Sequence, residues 1–574
     1  MEFKIKPAID GADVTIEDRG EKDGISYYEL KVRYSEPTIP EPLKINIVFP
    51  SYDAYSVWSP SVRYDRYLGP SWKKRVTESR LASWMPLHTI LSADGMNRFA
   101  IAVSDAKTPI SIGTGVGEHD ACFWCELTFF TVKIAHVTEY SAILRIDTRD
   151  IPYYDAIYDA VDWWEKDCGY VPAHVPEHAK LPMNSLWYSY HQNLNADIIV
   201  AECALSKPLG MDTVIVDDGW QTHDEGRGYV TCGDWEMSAV KFPDMKNFVD
   251  RVHDLGMKVM LWYSVPFIGV EAKNFERFSD MLLDDCTANK KVFVFDPRYK
   301  EVRDYLIGIY TKAVTEWGLD GLKLDFIDSF SLKGRSLEYD ARRDYLSLED
   351  AVDRLMTDVT DALRAINPEI MIEFRQTYVG PAIRKYGNML RVGDCPNDSL
   401  RNRHNIINLR FTSGKSAVHS DMVMWHKDDK VESAALQLVS SIYGVPQISV
   451  RIAELPEDHK RMLAFYLSFW KEHRELLLDG KLVAANPESS YSIACAYKDG
   501  RAIITSYTDT LIECGEYSEV IAINSSRAKA LLIKDAAGKS YKVLDCQGEE
   551  IESGTVRADI EQINVSLAGM ILIK

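Results

Sequence analysis

From the N-terminus to about residue 150, apolar side chains alternate with polar ones. Tyr28, Leu30, Val32 and Tyr34 form one such series, and Leu43, Ile45, Ile47 and Phe49 another. A period of two places one set of side chains on one face of a strand, so residues 1–150 are expected to form an N-terminal β-sandwich. The pattern changes at YDAIYDAVDWWEKDCGYVPAHVPEHAKLP, a helical segment running into a Pro-punctuated connector, and 151–180 reads as a helical linker. Eight short apolar runs follow: NSLWYSY, DTVIVDDG, KVMLWYSV, GLKLDF, IMIEFRQ, NMLRVGDC, SAVHSDM and GVPQISV. Between them lie segments of helical spacing, such as Val302, Leu306, Ile309 and Ala313, or Val352, Met356, Val359 and Leu363, with charges on the opposite face. Continuously apolar strands interleaved with helices predict parallel strands covered on both sides. Eight is the number that closes a (β/α)8 barrel, which assigns 181–481 to a barrel and leaves a doubly wound open sheet as the alternative. Strand patterns return in RAIITSY, EVIAINSS, KALLIKD and SYKVLD, so 482–574 is expected to be a small C-terminal β-domain. The predicted class is a multidomain α/β and β protein with a central TIM barrel flanked by two β-domains.

A chain of 574 residues exceeds what one hydrophobic core usually serves, in keeping with that division. Its formal charge of -20 argues against a nucleic-acid partner, which needs clustered Lys and Arg. The start, MEFKIKPAIDGADV, lacks a stretch of signal-peptide length, and no run is long and apolar enough to span a membrane. A cytoplasmic location without membrane contact is therefore expected; a removed leader would make the protein periplasmic or secreted. The ten Cys are scattered, and the one close pair, Cys122 and Cys125, lies in an extended run without partners for zinc or redox work, so buried thiols are expected.

In a barrel of this kind reacting groups sit at the C-terminal ends of the strands, and there this sequence turns polar. The second run ends in Asp217, Asp218, Gly219 and Trp220, and the fourth in Lys323 and Asp325. The fifth ends in Glu373 and Arg375, the sixth in Arg391 and Asp394. A mouth lined with carboxylates suits cleavage of a glycosidic bond, in which one carboxylate attacks or stabilises the anomeric carbon and another protonates the leaving oxygen. Taken singly, each position has a plainer reading, an Asp capping the next helix or a Lys–Asp ion pair. Capping does not explain why such residues recur at the same end of successive strands. Trp187 and Trp262, in the first and third runs, join the candidates for sugar contact. His191 and His419 lie near the ends of the first and seventh runs, where a structural role fits each better than a pocket role. No His-x-His or His-Glu-x-x-His pair, nucleotide loop or Gly-x-Ser-x-Gly elbow is present, so no metal or organic cofactor is expected.

The run VDDGWQ, then GDWEMSAVKFPDMKNFVDRVHDLGMKVMLWYSVP, then GLDGLKLDF, is similar to the barrel of the α-galactosidases of glycoside hydrolase families 36 and 27. The resemblance covers about residues 180 to 480, and the flanking β-domains suit the family 36 architecture. It implies Asp325, in the Lys-x-Asp motif, as nucleophile and Asp394, in RVGDCPND, as acid/base. It further implies that Asp217 and Asp218 hold the far hydroxyls of the sugar with Trp220 shaping that wall, that Lys323 binds ring hydroxyls, and that Arg391 sits near the 2-hydroxyl. Lys323 would keep Asp325 ionised, whereas Asp394 must begin protonated, a state that Arg391 opposes. The chain departs from the family at EFRQTYVGP, where members carry a Cys and a Gly-rich turn. Arg375 there would narrow the pocket, move aside or recognise a substituted or acidic sugar. Gly393 precedes Asp394 where a Ser is usual, which leaves Asp398 as a rival acid/base.

The expected activity is that of a retaining glycosidase cleaving terminal α-linked sugars, α-galactosides first, by double displacement between carboxyls about 5 to 5.5 Å apart. The expected partner is an oligosaccharide or glycoside. Three alternatives stay open: an α-glycosidase for another or a charged glycone, a galactosyl transferase of the raffinose-synthase type, and a non-catalytic carbohydrate-binding protein. The aromatic stretch WSPSVRYDRYLGPSW, Trp58 to Trp72, either reaches over the barrel mouth or fills an interface. A homo-oligomer is compatible with all of these.

Overall fold

A computed structural model describes residues 2–6, 11–61, 64–223, 226, 228–284, 290–332, 340–375 and 377–574. The eight apolar runs become the strands β1 (Met183–Ser185), β2 (Thr213–Val216), β3 (Lys258–Ser264), β4 (Gly321–Asp325), β5 (Met371–Arg375), β6 (Met389–Arg391), β7 (Ala417–Val423) and β8 (Val445–Ile448). They pair in chain order, all parallel, and the barrel closes where Met183 of β1 meets Gln447 of β8. The open-sheet alternative is thereby excluded. Alternation along each strand sorts the side chains: on β5, Ile372 and Phe374 join the core under the helices while Met371 joins a cluster inside the barrel.

Outside run α1 (Tyr153–Lys166), α2 (Ala196–Ser206), α3 (Met245–Asp254), α4 (Lys300–Trp317), α5 (Leu348–Ile366), α6 (Ser399–Thr412), α7 (Val431–Ser440) and α8 (Glu457–Asp479). Their starts follow sequence signals: Asn195, Asp244, Ser347 and Asp398 each accept a backbone N–H of the first turn. α4 stops at Gly318, left-handed at φ 77°. The first run differs from expectation. Only Met183–Ser185 pairs as a strand, and the chain then coils into the single turn Trp187–Tyr190. Ser449 Oγ takes the N–H groups of Tyr188 and Ser189, each at 3.1 Å, and so draws the segment over the mouth.

The N-terminal region is two antiparallel sheets, of five and six strands, packed face to face. The predicted alternation defines its core: Leu30 and Val32 from one sheet meet Leu43, Ile45 and Ile47 from the other, all fully buried. Cys122 and Cys125 lie on one of these strands, and every described cysteine is a free thiol. The C-terminal region is a seven-stranded sheet against a three-stranded one. α1 ties the parts together, its Trp164 indole donating to Val103 O at 2.8 Å and its Tyr153 hydroxyl to Ala484 O at 3.0 Å. No helix among the described residues is long and apolar enough to cross a membrane.

All three regions converge on Asn408 of α6. Its Oδ1 accepts from the Trp58 indole at 3.0 Å, from Arg66 at 3.1 Å and from the Tyr491 hydroxyl. Asn408→Ala removes the shared acceptor, leaving Trp58 with the Tyr491 hydroxyl at 3.3 Å and Arg66 with His404 at 2.9 Å, and is expected to cost about 1–3 kcal/mol, read as a lower melting temperature with unchanged secondary-structure content by circular dichroism.

Candidate active site

Inside the barrel the side chains form layers. The floor is Met183, Ile215, Met260, Met371 and Met389, four of the five being flexible thioethers that fill an irregular space. Above it lies an ionic layer. Lys323 donates to Asp217 Oδ2 at 2.5 Å and stands 3.9 Å from Glu373. Arg391 stands 3.7 Å from Glu373, pairs with Asp421, and donates to Asp394 Oδ1 at 2.8 Å. Gln447 donates to Glu373 from β8. Burial pushes the carboxyls of Glu373 and Asp421 up, against the neighbouring cations.

Asp325, the last residue of β4, is buried and fully engaged. Oδ2 accepts from the Trp262 indole at 2.8 Å, and Oδ1 from Phe326 N at 2.7 Å, from Tyr378 OH at 3.2 Å and from Arg375 Nε. Phe326 itself turns left-handed, at φ 63° and ψ 19°, uncommon for a bulky side chain. Burial pushes the Asp325 carboxyl up, but the charges of Arg375 and Lys323, with the hydrogen bonds from Arg375 and Trp262, outweigh it and hold it below its ordinary value. On this side Trp262, Tyr229, Phe267 and Phe326 form an aromatic wall, with Phe267 and Phe326 centred 4.8 Å apart.

Asp394, after β6, is half-exposed. Its two oxygens face two cations, Oδ1 toward Arg391 and Oδ2 toward Arg375 NH1 at 3.2 Å. Burial opposes ionisation, yet Arg391 and Arg375 outweigh it and hold this carboxyl far below the usual range. The competition foreseen between burial and Arg391 is decided by the arginines. Arg375 neither leaves the pocket nor stays unpaired: it bridges Asp325 and Asp394 and lays its guanidinium 4.9 Å from the Phe326 ring.

The Asp-Asp-Gly-Trp loop after β2 closes another side. Asp218 accepts from Gln221 at 2.6 Å and Gln192 at 2.8 Å. Gly219 is obligatory, at φ 128° with its would-be Cβ 2.8 Å from Gln192 Cα. Burial, with the charge of Asp217, pushes Asp218 up to about 6 despite the two amides. Among the described residues no cluster of His, Cys, Asp and Glu is arranged to hold a metal.

The structure thus brings Asp217, Asp218, Trp262, Lys323, Asp325, Glu373, Arg375, Arg391 and Asp394 into one connected site. Trp220 stands behind it, fully buried, its indole donating to Trp262 O at 2.9 Å. Trp187 packs its ring against His191, 4.7 Å between centroids, and it is the next residue, Tyr188, that reaches the ionic layer, donating to Asp421 at 3.0 Å. Asp398 caps α6 through Arg401 N at 2.9 Å and is no neighbour of Arg375 in the way Asp394 is. His419 is buried on Ala179 O at 2.8 Å, and burial lowers it to about 3. Sequence reading passed over Asp421, Tyr188, Tyr378 and Gln192. Asp421 carried a signal, an acid two residues beyond inward-facing His419, but the others became visible only through tertiary contact. So did Trp84 of the N-terminal region, whose N–H donates to Thr377 O at 2.7 Å. With Pro60 it lines a cavity of about 230 Å³ that reaches Gly393 and Asp394.

Fold and site define a (β/α)8-barrel protein with an acidic, cation-braced mouth. The sequence profile of the Melibiase family matches residues 178–480, just over half of the chain, and the chain belongs to that family. Among curated proteins it is similar to alpha-galactosidase Mel36A of Lactobacillus acidophilus, 28% identical over 25% of this chain and 20% of that protein. It is also similar to the bifunctional alpha-galactosidase/sucrose kinase AgaSK of Mediterraneibacter gnavus, 20% identical over 62% of this chain and 38% of that protein. The chain therefore spans well under two thirds of these relatives. In fold it matches a GH36 alpha-galactosidase AgaA variant from Geobacillus stearothermophilus in complex with raffinose, at TM-score 0.66 and 15% identity over 100% of this chain and 86% of that one. The galactosidase domain of AgaSK gives a TM-score of 0.65 at 13% identity, over 100% of this chain and 85% of that chain.

Lys323→Met leaves Asp217 without its cation and Glu373 with Arg391 alone. The variant is expected to lose about 3–5 kcal/mol near neutral pH. The deficit shrinks as pH falls and the buried carboxyls of the folded variant take up protons; denaturant unfolding at pH 7 and pH 5 reads both.

Proposed function

We propose that the chain is a retaining glycosidase that removes terminal α-linked sugars, α-galactosides first, with Asp325 as nucleophile and Asp394 as acid/base. The observation that carries this is the pairing across the mouth of a buried, ionised carboxylate with a half-exposed one, spanned by a single guanidinium. Two hydrogen bonds and a guanidinium reach about 8 Å at most, which suits a carboxylate pair acting on one glycosidic bond; the choice of retention rests on the family resemblance. Membership of the Melibiase family and the alpha-galactosidase names of its relatives support the choice of glycone.

In this reading the ring hydroxyls lie against Asp217, Asp218 and Lys323, and the anomeric carbon faces Asp325. Trp262, Tyr378 and Phe326 N fix both oxygens of the nucleophile, so it attacks from a set direction without reorganising. Asp394 protonates the departing oxygen at the solvent-facing edge, where the leaving group exits into the cavity under Trp84 and water comes in. Water activated by the same carboxylate then cleaves the glycosyl ester on Asp325, giving overall retention.

Hydrolysis of p-nitrophenyl α-galactoside, followed by proton NMR, should release the α-anomer first. Asp325→Ala should lower kcat/KM by about 10⁴-fold or more. Asp394→Asn should cost about 10²–10⁴-fold on an alkyl α-galactoside and much less on the nitrophenyl one, whose leaving group needs little protonation. Full turnover in Asp325→Ala would remove the nucleophile assignment; turnover of a different p-nitrophenyl α-glycoside alone would keep the reaction and replace the sugar.

A further inference from the structure

Arg375 is redundant as an anchor for either carboxylate taken singly. Without it Asp325 keeps Trp262, Tyr378 and Phe326 N, and Asp394 keeps Arg391. Among the described residues, it is Arg375 that donates to both. Its Nε serves Asp325 and its NH1 serves Asp394, so the guanidinium lies in the gap where the reacting carbon and its glycosidic oxygen have to sit. A bound glycoside and the NH1–Asp394 contact therefore compete for one position, while the Nε–Asp325 contact and the Phe326 ring can hold the guanidinium to one side.

We propose that Arg375 is a positioning residue that links nucleophile to acid/base in the empty site and is displaced from Asp394 by the incoming glycoside. This rests on the reaction proposed above and adds how the site is switched. With Arg375 across the pair both carboxyls are held below their ordinary range, which suits the nucleophile and disarms the acid. Displacement removes one of the two cations from Asp394 at the moment the leaving oxygen arrives, so the carboxyl can carry its proton only when there is a bond to break. The other groups facing Asp394 are Arg391, Lys323, Asp421 and Tyr188; those facing Asp325 are Lys323, Trp262, Tyr378, Asp328 and Tyr229. Lys323 acts on both, through its charge alone; its ion-pair contacts are Asp217 and Glu373.

The test uses Arg375→Met, of similar length without charge, and Arg375→Lys, which keeps the charge but cannot span the pair. In the wild type the alkaline limb of kcat/KM, which reports the free enzyme, should lie below that of kcat, which reports the bound one, by about one pH unit or more. In Arg375→Met the kcat/KM limb should rise to meet the kcat limb, and Arg375→Lys should fall between. Coincident limbs in wild type and Met variant would overturn the proposal. A second reading needs no turnover: carbon-13 titration of the Asp394 carboxyl in the free protein, assigned with Asp394→Asn, should move up by a similar amount in Arg375→Met. An unmoved titration would overturn the link even in an active enzyme, whereas a moved one in a protein without glycosidase activity would sink the proposed reaction and leave the link standing.

Discussion

The barrel turns every second side chain of eight parallel strands into a space that excludes bulk water, and near the C-terminal ends those side chains are charged. An unpaired charge there costs several kcal/mol, so each must find a partner within the barrel. The solution is one alternating chain: Asp217, Lys323, Glu373, Arg391, Asp394, Arg375, Asp325, in which every cation stands between carboxylates. Asp421 hangs from Arg391 as a side branch. Such a series responds as a unit, and changes at any two of its members are not expected to add.

Along that series the environment is graded. Asp217 and Asp325 are buried, whereas Asp394 stands half in solvent. The buried end is braced by indole, phenol and backbone donors and backed by the Trp262–Tyr229–Phe326 wall, which holds both of its oxygens in place. The open end is held by two arginines, one of which is shared with Asp325. Burial thus separates two chemically identical side chains into a fixed group and an adjustable one, the division that paired-carboxylate chemistry needs.

The β-domains are part of this arrangement. Arg80, from the N-terminal region, donates to Asp328 O at 2.6 Å and Phe330 O at 2.5 Å, gripping the segment that follows β4. Trp84 holds Thr377 after β5, and Thr377 in turn donates to Asp328 at 2.6 Å. The loops carrying Asp325 and Arg375 are therefore fastened from outside the barrel. The stretch Trp58–Trp72 divides between its two expected roles: Trp58 is buried at the three-way junction on Asn408, Pro60 borders the cavity beside Asp394, and Trp72 faces solvent; Val62 and Arg63 lie outside the described residues.

Local pattern by itself determined the architecture. A period of two, eight apolar runs and helical spacing between them sufficed for sandwich, barrel and closing sheet, because each reflects which face of one element is kept from water. It also marked the strand ends where charge would collect, since a charged residue closing an apolar run has nowhere to go but the mouth. The extent of the first strand, the capping role of Asp398, the burial of Trp220, and the contributions of Tyr188, Tyr378, Asp421 and Trp84 were decided by contacts between residues far apart in the chain. The same holds for protonation and for Arg375. Whether Asp394 is charged depends on two guanidiniums brought to its two oxygens by separate strands, and whether Arg375 closes, leaves or links the site depends on a second carboxylate nineteen residues away at its other end. Electrostatic free energy depends on distance in space and on what excludes water between the charges, and neither is written in the order of residues.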